Sequence, residues 1–297
     1  MAKPLTLDGY SEQVTHDCER VLVTLLRNLG PHRNSLVLIG GLTPRYLVPE
    51  RPPIVPQHAG TLDLDVVIDL VVLEDVEAYR TLEDNLKKIG FERGENDKGQ
   101  KVNWRWKVKM EDGTTIILEL LTDHPDLRGG RAQPLQNEGQ ISALNIPHSS
   151  IVFDMYDTAE VTAELIGGEG LATESIRHAN VVSFICLKSI AYDDRHERKD
   201  AHDLVYCLEH VPEKGEGVAA KFRDGLSGKH HDVLLKSLSL LRKRFVTDAN
   251  AEGYLKDGPV AVAKFELGES EEEREARALR QRDASVIVEG LLSAVGN

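Results

Sequence analysis

Thr61-Leu62-Asp63-Leu64-Asp65-Val66-Val67-Ile68-Asp69 decides how the first half of this chain reads. The alternation marks a strand, and residues two apart on a strand share a face, so Asp63 and Asp65 project together while Leu62, Leu64, Val66 and Ile68 turn to the core. Two neighbouring carboxylates attract a hard dication such as Mg²⁺ or Mn²⁺, which keeps one or two carboxylates and takes further oxygens from substrate phosphates. The expected ligand is a nucleoside triphosphate. Asp69 has the same parity but lies farther along the strand and is not expected to join the pair.

Upstream, Ser35 to Ile39 reads as a short buried strand, Gly40-Gly41 as a turn, and Leu42 to Leu47 as a helical turn cut off by the proline-rich loop from Pro49 to Pro56. Paired glycines often make no more than a tight bend. Placed after a strand and before a helical turn, they also let backbone N–H groups approach a phosphate, with Thr43 and Arg45 positioned to help. The stretch is neither a Walker A loop nor a GxGxxG fingerprint.

Val14, Cys18, Val21, Leu22, Leu25, Leu26 and Leu29 recur at helical spacing ahead of Gly30, and Val76, Tyr79, Leu82, Leu86 and Ile89 do so ahead of Gly90. From Lys101 to Lys109, Val102, Trp104, Trp106 and Val108 alternate with a basic row that contains Arg105 and Lys107. A three-residue loop at Glu111-Asp112-Gly113, with Gly113 left-handed, joins this strand to Thr114–Leu121 and sets Glu119 opposite Arg105. A two-residue Asp-Gly turn would bury Glu119 among the tryptophans at a desolvation cost. Glu119 is thus the natural third carboxylate beside Asp63 and Asp65. An irregular stretch follows Asp123 to about residue 147 and is expected to border the site.

With 297 residues, 41% of them hydrophobic, the chain has material for two ordinary domains, here expected at 1–150 and 151–297. In the second, residues 151–166 read as strands, while Val181–Tyr192, Lys199–His210, His230–Arg244 and Ser270–Val295 read as helices. The expected fold class is α+β: an N-terminal mixed sheet flanked by helices, then a mostly helical C-terminal domain. Apolar runs fall short of the roughly 18 residues a membrane span needs. The N-terminus lacks a signal-peptide core, and Cys18, Cys186 and Cys207 have neither metal-site nor disulfide spacing, so a cytoplasmic setting is expected. A net charge of −13 opposes unspecific nucleic-acid binding, so any RNA contact must be local. Lys98, Lys101, Arg105, Lys107 and Lys109, with Arg242, Lys243 and Arg244, are the residues that could supply it.

The order Gly-Gly, then Asp-x-Asp, then a carboxylate on a later strand resembles the polymerase-β-like nucleotidyltransferase superfamily. Lys188, followed by Arg195 and Lys199-Asp200-Ala201-His202-Asp203-Leu204, resembles the K…R…KDxxDL segment of AbiEii/AbiGii-type nucleotidyltransferase toxins and their MenT-type relatives. The resemblance implies that Asp63, Asp65 and Glu119 hold metal and that Gly40 and Gly41 shape a phosphate turn. It further implies that Lys188 holds the triphosphate, oriented by Asp200 and Asp203. Thr43, Arg45, Arg105, Lys107, Arg195 and Lys199 are expected as nucleotide contacts. The implied activity moves a nucleoside monophosphate from a triphosphate to an acceptor hydroxyl on RNA, tRNA or protein. The implied setting is a toxin with an antitoxin partner, and the alternative is a nucleotide-binding protein of the same fold that has lost catalysis. A sugar-nucleotide glycosyltransferase would also use Asp-x-Asp, but leaves the Gly-Gly turn and the Lys-Asp helix without a role.

Overall fold

The computed structural model describes residues 3–69, 76–96, 98–132 and 141–296. The expected run of the carboxylate strand to residue 73, the Val76 and Tyr79 side chains, and part of the loop expected between Asp123 and residue 147 lie outside the described residues. The chain is α+β and divides into two compact units. Unit 1 takes Ser11–Tyr46 and Gly60–Asn180; unit 2 takes the described part of Ala2–Tyr10, Leu47–Ala59 and Val181–Asn297.

Unit 1 is built on a mixed sheet of eight strands: β1 (Leu36–Ile39), β2 (Asp63–Ile68), β3 (Glu92–Glu95), β4 (Lys101–Lys109), β5 (Thr115–Thr122), β6 (Leu144–Asn145), β7 (Tyr156–Glu164) and β8 (Leu171–Ala179). They run in the order β3-β4-β5-β2-β1-β8-β7, with β6 beside β5. Because β2 lies between β1 and β5, its carboxylates are not edge-strand residues. Helix α1 (Glu12–Asn28) ends before Gly30, whose φ of +55° breaks the helical path. Its Cys18, Val21, Leu22 and Leu25 share one core with Leu64, Val66 and Ile68 of β2 and with Trp106, Ile116, Leu118 and Leu120. The inward parity of β2 is therefore as the alternation requires. Two short helices complete the unit's first part, α2 (Pro44–Leu47) after the glycine turn and α3 (Val76–Lys88).

The β4–β5 hairpin has the expected register. Arg105 pairs with Glu119 and Lys109 with Thr115, and Gly113 closes the three-residue loop at φ +91°. The sheet continues past the expected boundary at residue 150, since β8 pairs in parallel with β1 and β7 pairs along β8. Residues 151–166 thus contribute a strand to unit 1 rather than beginning the helical part.

Unit 2 contains the expected helices, α4 (Val181–Arg195), α5 (Arg198–His210), α7 (His231–Phe245) and α9 (Arg274–Val295). It also contains α6 (Lys214–Leu226) and α8 (Asp257–Leu267), which begin or are broken by Gly215, Gly217 and Gly258-Pro259 and so give weak helical signals. Phe184, Phe222, Phe245 and Phe265 fill its interior. No described helix is long and apolar enough to cross a membrane.

Candidate functional site

In unit 1 the carboxylates sit in one row across the sheet. Ile39, the last residue of β1, pairs with Asp65, and Asp65 pairs with Glu119, which in turn pairs with Arg105. Asp63 lies two residues earlier on the same face, half-buried, and its Oδ1 accepts a 2.9 Å hydrogen bond from the Thr61 hydroxyl. The chain leaves β1 through Gly40, at φ +74°, and a single helical turn over Gly40–Leu42. A Cβ at Gly40 would come within 2.1 Å of Asp65 Oδ2, so the bend and the carboxylate are in direct contact and glycine is required there on two counts. Thr43, just before α2, is fully buried, and its Oγ1 has no hydrogen-bond partner among the described residues. A buried hydroxyl left unpaired is destabilising unless a ligand or water completes it.

The surrounding field is negative. Burial first, then the charges of Asp63, Asp17 and Asp65, push the Cys18 thiol well above its ordinary value. Arg45, expected as a nucleotide contact, bridges Glu12 at 2.6 Å and Glu19 at 2.8 Å. Arg105 grips Glu119 through Nε at 2.8 Å and Nη2 at 2.6 Å. Lys107 lies 3.6 Å from both Glu92 and Glu95. These three cations therefore neutralise their own neighbours, and Arg105 and Lys107 of the basic row of β4 are internally compensated. In unit 2, Lys243 and Arg244 are likewise committed to Asp193.

Asp63, Asp65 and Glu119 share a face without closing into a tight cage. Among the described residues, the trio of His, Cys, Asp or Glu donors lying within 4.8 Å of one another is His58, His202 and Asp203 in unit 2. The hold of Arg105 on Glu119 supplies the physical reason, since a carboxylate already paired with a guanidinium gains less by turning toward other anions.

Unit 2 brings the Lys188 segment together as a buried charge network. Lys188 Nζ, on α4, donates to Asp200 Oδ1 at 2.8 Å and to Asp203 Oδ2 at 2.7 Å, both on α5. Arg195 holds Asp200 with two hydrogen bonds, and Lys199 holds both oxygens of Asp203 at 2.8 Å. The i, i+3 spacing of the aspartates places them on the same helix face, which is buried rather than the exposed ion-paired face that spacing alone also allows. Burial pulls the Lys188 ammonium down, but Asp200 and Asp203 more than reverse it, leaving its pKa above the ordinary value. Burial pushes Asp200 up, yet Lys188 and Arg195 bring it to about 2. Lys199 moves the other way, since burial outweighs the pull of Asp203.

His58, two residues past the proline-rich loop, was not singled out by sequence. Its Nε2 meets Asp203 Oδ1 at 2.8 Å, and its ring stacks on His202. His202 Nδ1 pairs with Glu266 Oε1 at 2.9 Å, Arg280 holds the same glutamate, and His202 Nε2 is buried without a partner among the described residues. Two histidines and an aspartate are reasonable metal ligands in type. The charges argue otherwise, because Asp203 already serves His58, Lys188 and Lys199, and a dication would face two ammonium groups. We read the trio as part of the network.

Searches of protein-family models and of curated proteins find no match to the chain.

Proposed function

We propose that unit 1 is a metal-dependent nucleotidyltransferase site, moving a nucleoside monophosphate from a nucleoside triphosphate to an acceptor hydroxyl. The observation that carries the reading is the contact row itself: a positive-φ glycine bend pressed against Asp65, with Asp63 on the same face and Glu119 on the adjoining strand. Hard carboxylate oxygens in a negative field suit Mg²⁺ or Mn²⁺, and Asp63 and Asp65 are the residues that would hold it. When bound, such an ion supplies charge neutralisation at the triphosphate and acidifies an attacking hydroxyl.

The chain's own groups do the rest. The Gly40-Gly41 bend offers backbone N–H groups to a phosphate without a side chain in the way. Arg105 fixes Glu119 beside Asp65, so that its carboxylate adds to the negative charge that would face the cation. RNA, tRNA and protein are the acceptor classes to examine, with an antitoxin-like protein as a partner to seek.

The test is transfer of label from each α-labelled triphosphate to total RNA or protein in Mg²⁺, with pyrophosphate released. Asp65→Asn is expected to keep the fold and lower transfer by at least about 100-fold, the scale of losing an electrostatic group in a transfer site. Wild-type labelling by Asp65→Asn would remove the proposal. A second reading, nucleotide binding without transfer, is favoured by the Arg105 grip on Glu119. Calorimetry that finds metal-dependent triphosphate binding, with no pyrophosphate release against any acceptor pool, selects it.

A further inference from the structure

Unit 2 carries a groove that neither the charge network nor the carboxylate row uses. It measures about 610 Å³ and lies among α5, α6 and α9, with Leu208, Val218, Ile287 and Leu291 in its lining. Its charged lining residues are Glu209, Glu216 and Asp283, with no Lys or Arg. Glu209 and Glu216 are paired with Arg280 and Arg223, whereas Asp283 forms no ion pair among the described residues.

The groove continues as a stripe along α9. Ala276, Leu279, Asp283, Val286 and Gly290 recur every three or four residues and are all exposed. Leu279 is 61% and Val286 64% exposed, although aliphatic side chains on an amphipathic helix usually turn inward. A Cβ at Gly290 would meet nothing within 4 Å, so the helix surface is open at that point. Twenty-two residues of α9 span about 33 Å, long enough to lie against several turns of another helix.

We infer that this groove docks an amphipathic, basic helix from a partner protein. An apolar floor with exposed aliphatic anchors at helical spacing is the surface that receives a helix face. Asp283, the lining carboxylate that no arginine compensates among the described residues, favours lysine and arginine on the flank of that helix. A second copy of this chain is a poor occupant, since it would set the same carboxylates against each other on a molecule of net charge −13.

The probe is a synthetic helical peptide of leucine and lysine, leucines at heptad a and d positions, compared with its glutamate-for-lysine counterpart by fluorescence anisotropy on the full chain. The lysine peptide is expected to bind saturably at one site and the glutamate peptide not at all. Gly290→Trp fills the groove from an exposed helix position, leaves the fold intact, and is expected to weaken binding by about ten-fold or more, the cost of losing an interface anchor. Asp283→Asn with Glu216→Gln is expected to weaken it by a smaller factor and to flatten its salt dependence. Equal binding by Gly290→Trp, or by both peptides, overturns the inference. So does sedimentation showing a dimer of the chain that Gly290→Trp dissociates.

Discussion

Gly40 and His58 each concentrate a physical constraint in one position. Replacing Gly40 by alanine adds a Cβ at φ +74° and within 2.1 Å of Asp65 Oδ2, so the carboxylate must move or the turn must open. Gly40→Ala is expected to destabilise the protein by about 1–3 kcal/mol, the usual cost of left-handed strain, and to weaken the proposed Mg²⁺-dependent triphosphate binding. Thermal unfolding and calorimetry measure the two effects separately. His58 is held at about 3, chiefly by burial, against the opposing pull of Asp203. Unfolded, it takes up a proton near about pH 6.5. Between these values the unfolded chain binds more protons than the folded one, so stability rises with pH across that window and falls on acidification from about 6.5 toward 3. Asp200 and Asp203 are depressed in the fold, so their contribution is present above about 4 and lost only below it. His58→Gln should therefore flatten the stability profile between about pH 4 and 6.5 in denaturant titrations. An unchanged slope would show that His58 does not titrate as described.

At the scale of elements, the hairpin and the helix pair differ in how far sequence alone reached. The β4–β5 register could be read because each strand has a strong apolar row and because burying Glu119 beside tryptophan is costly. The inward parity of β2 was legible for the same reason. The extent of the sheet was not. The inward row of β8 is Ala172, Glu174, Ile176 and His178, half of it polar, so its periodicity is faint and its place beside β1 depends on tertiary pairing. The α4–α5 contact was implied by the resemblance of the KDxxDL segment, but the burial of both aspartates was not, since the same spacing suits a solvated face. That burial makes the pair sensitive. Asp203→Asn leaves Lys188 and Lys199 with one formal anion fewer in a dry environment, and is expected to cost about 3–5 kcal/mol in urea unfolding, the range for breaking a buried pair. A loss below about 1 kcal/mol would mark the cluster as solvent-screened instead.

For the whole molecule, the decisive fact is that neither unit is one continuous stretch of chain. The backbone passes from one unit to the other at 10–11, 46–47, 59–60 and 180–181. Periodicity cannot reveal this, because a proline-rich loop carries no signal of which unit it will join. Within unit 2, Leu47–Ala59 supplies His58 to Asp203 and the Pro56 carbonyl to the Tyr206 hydroxyl, at 2.8 Å each. Tyr10, from the N-terminal segment, packs on Phe265 and lies under the Lys199 ammonium. A fragment spanning 181–297 lacks all of these groups. It is expected to show lower helicity and a broad, weakly cooperative urea transition by circular dichroism, where the full chain shows a sharp one. A fragment that unfolds as sharply as the parent would show the borrowed segments to be dispensable.

The same threading sets a timetable during synthesis. Residues 47–59 leave the ribosome well before α5 and α8 exist, so their proline-rich loop must wait for its unit 2 partners while the sheet of unit 1 is still being synthesised. Completion of the helical half is thereby tied to the last part of translation, and slowing the ribosome between codons 60 and 180 should lengthen the interval in which a protease finds that loop.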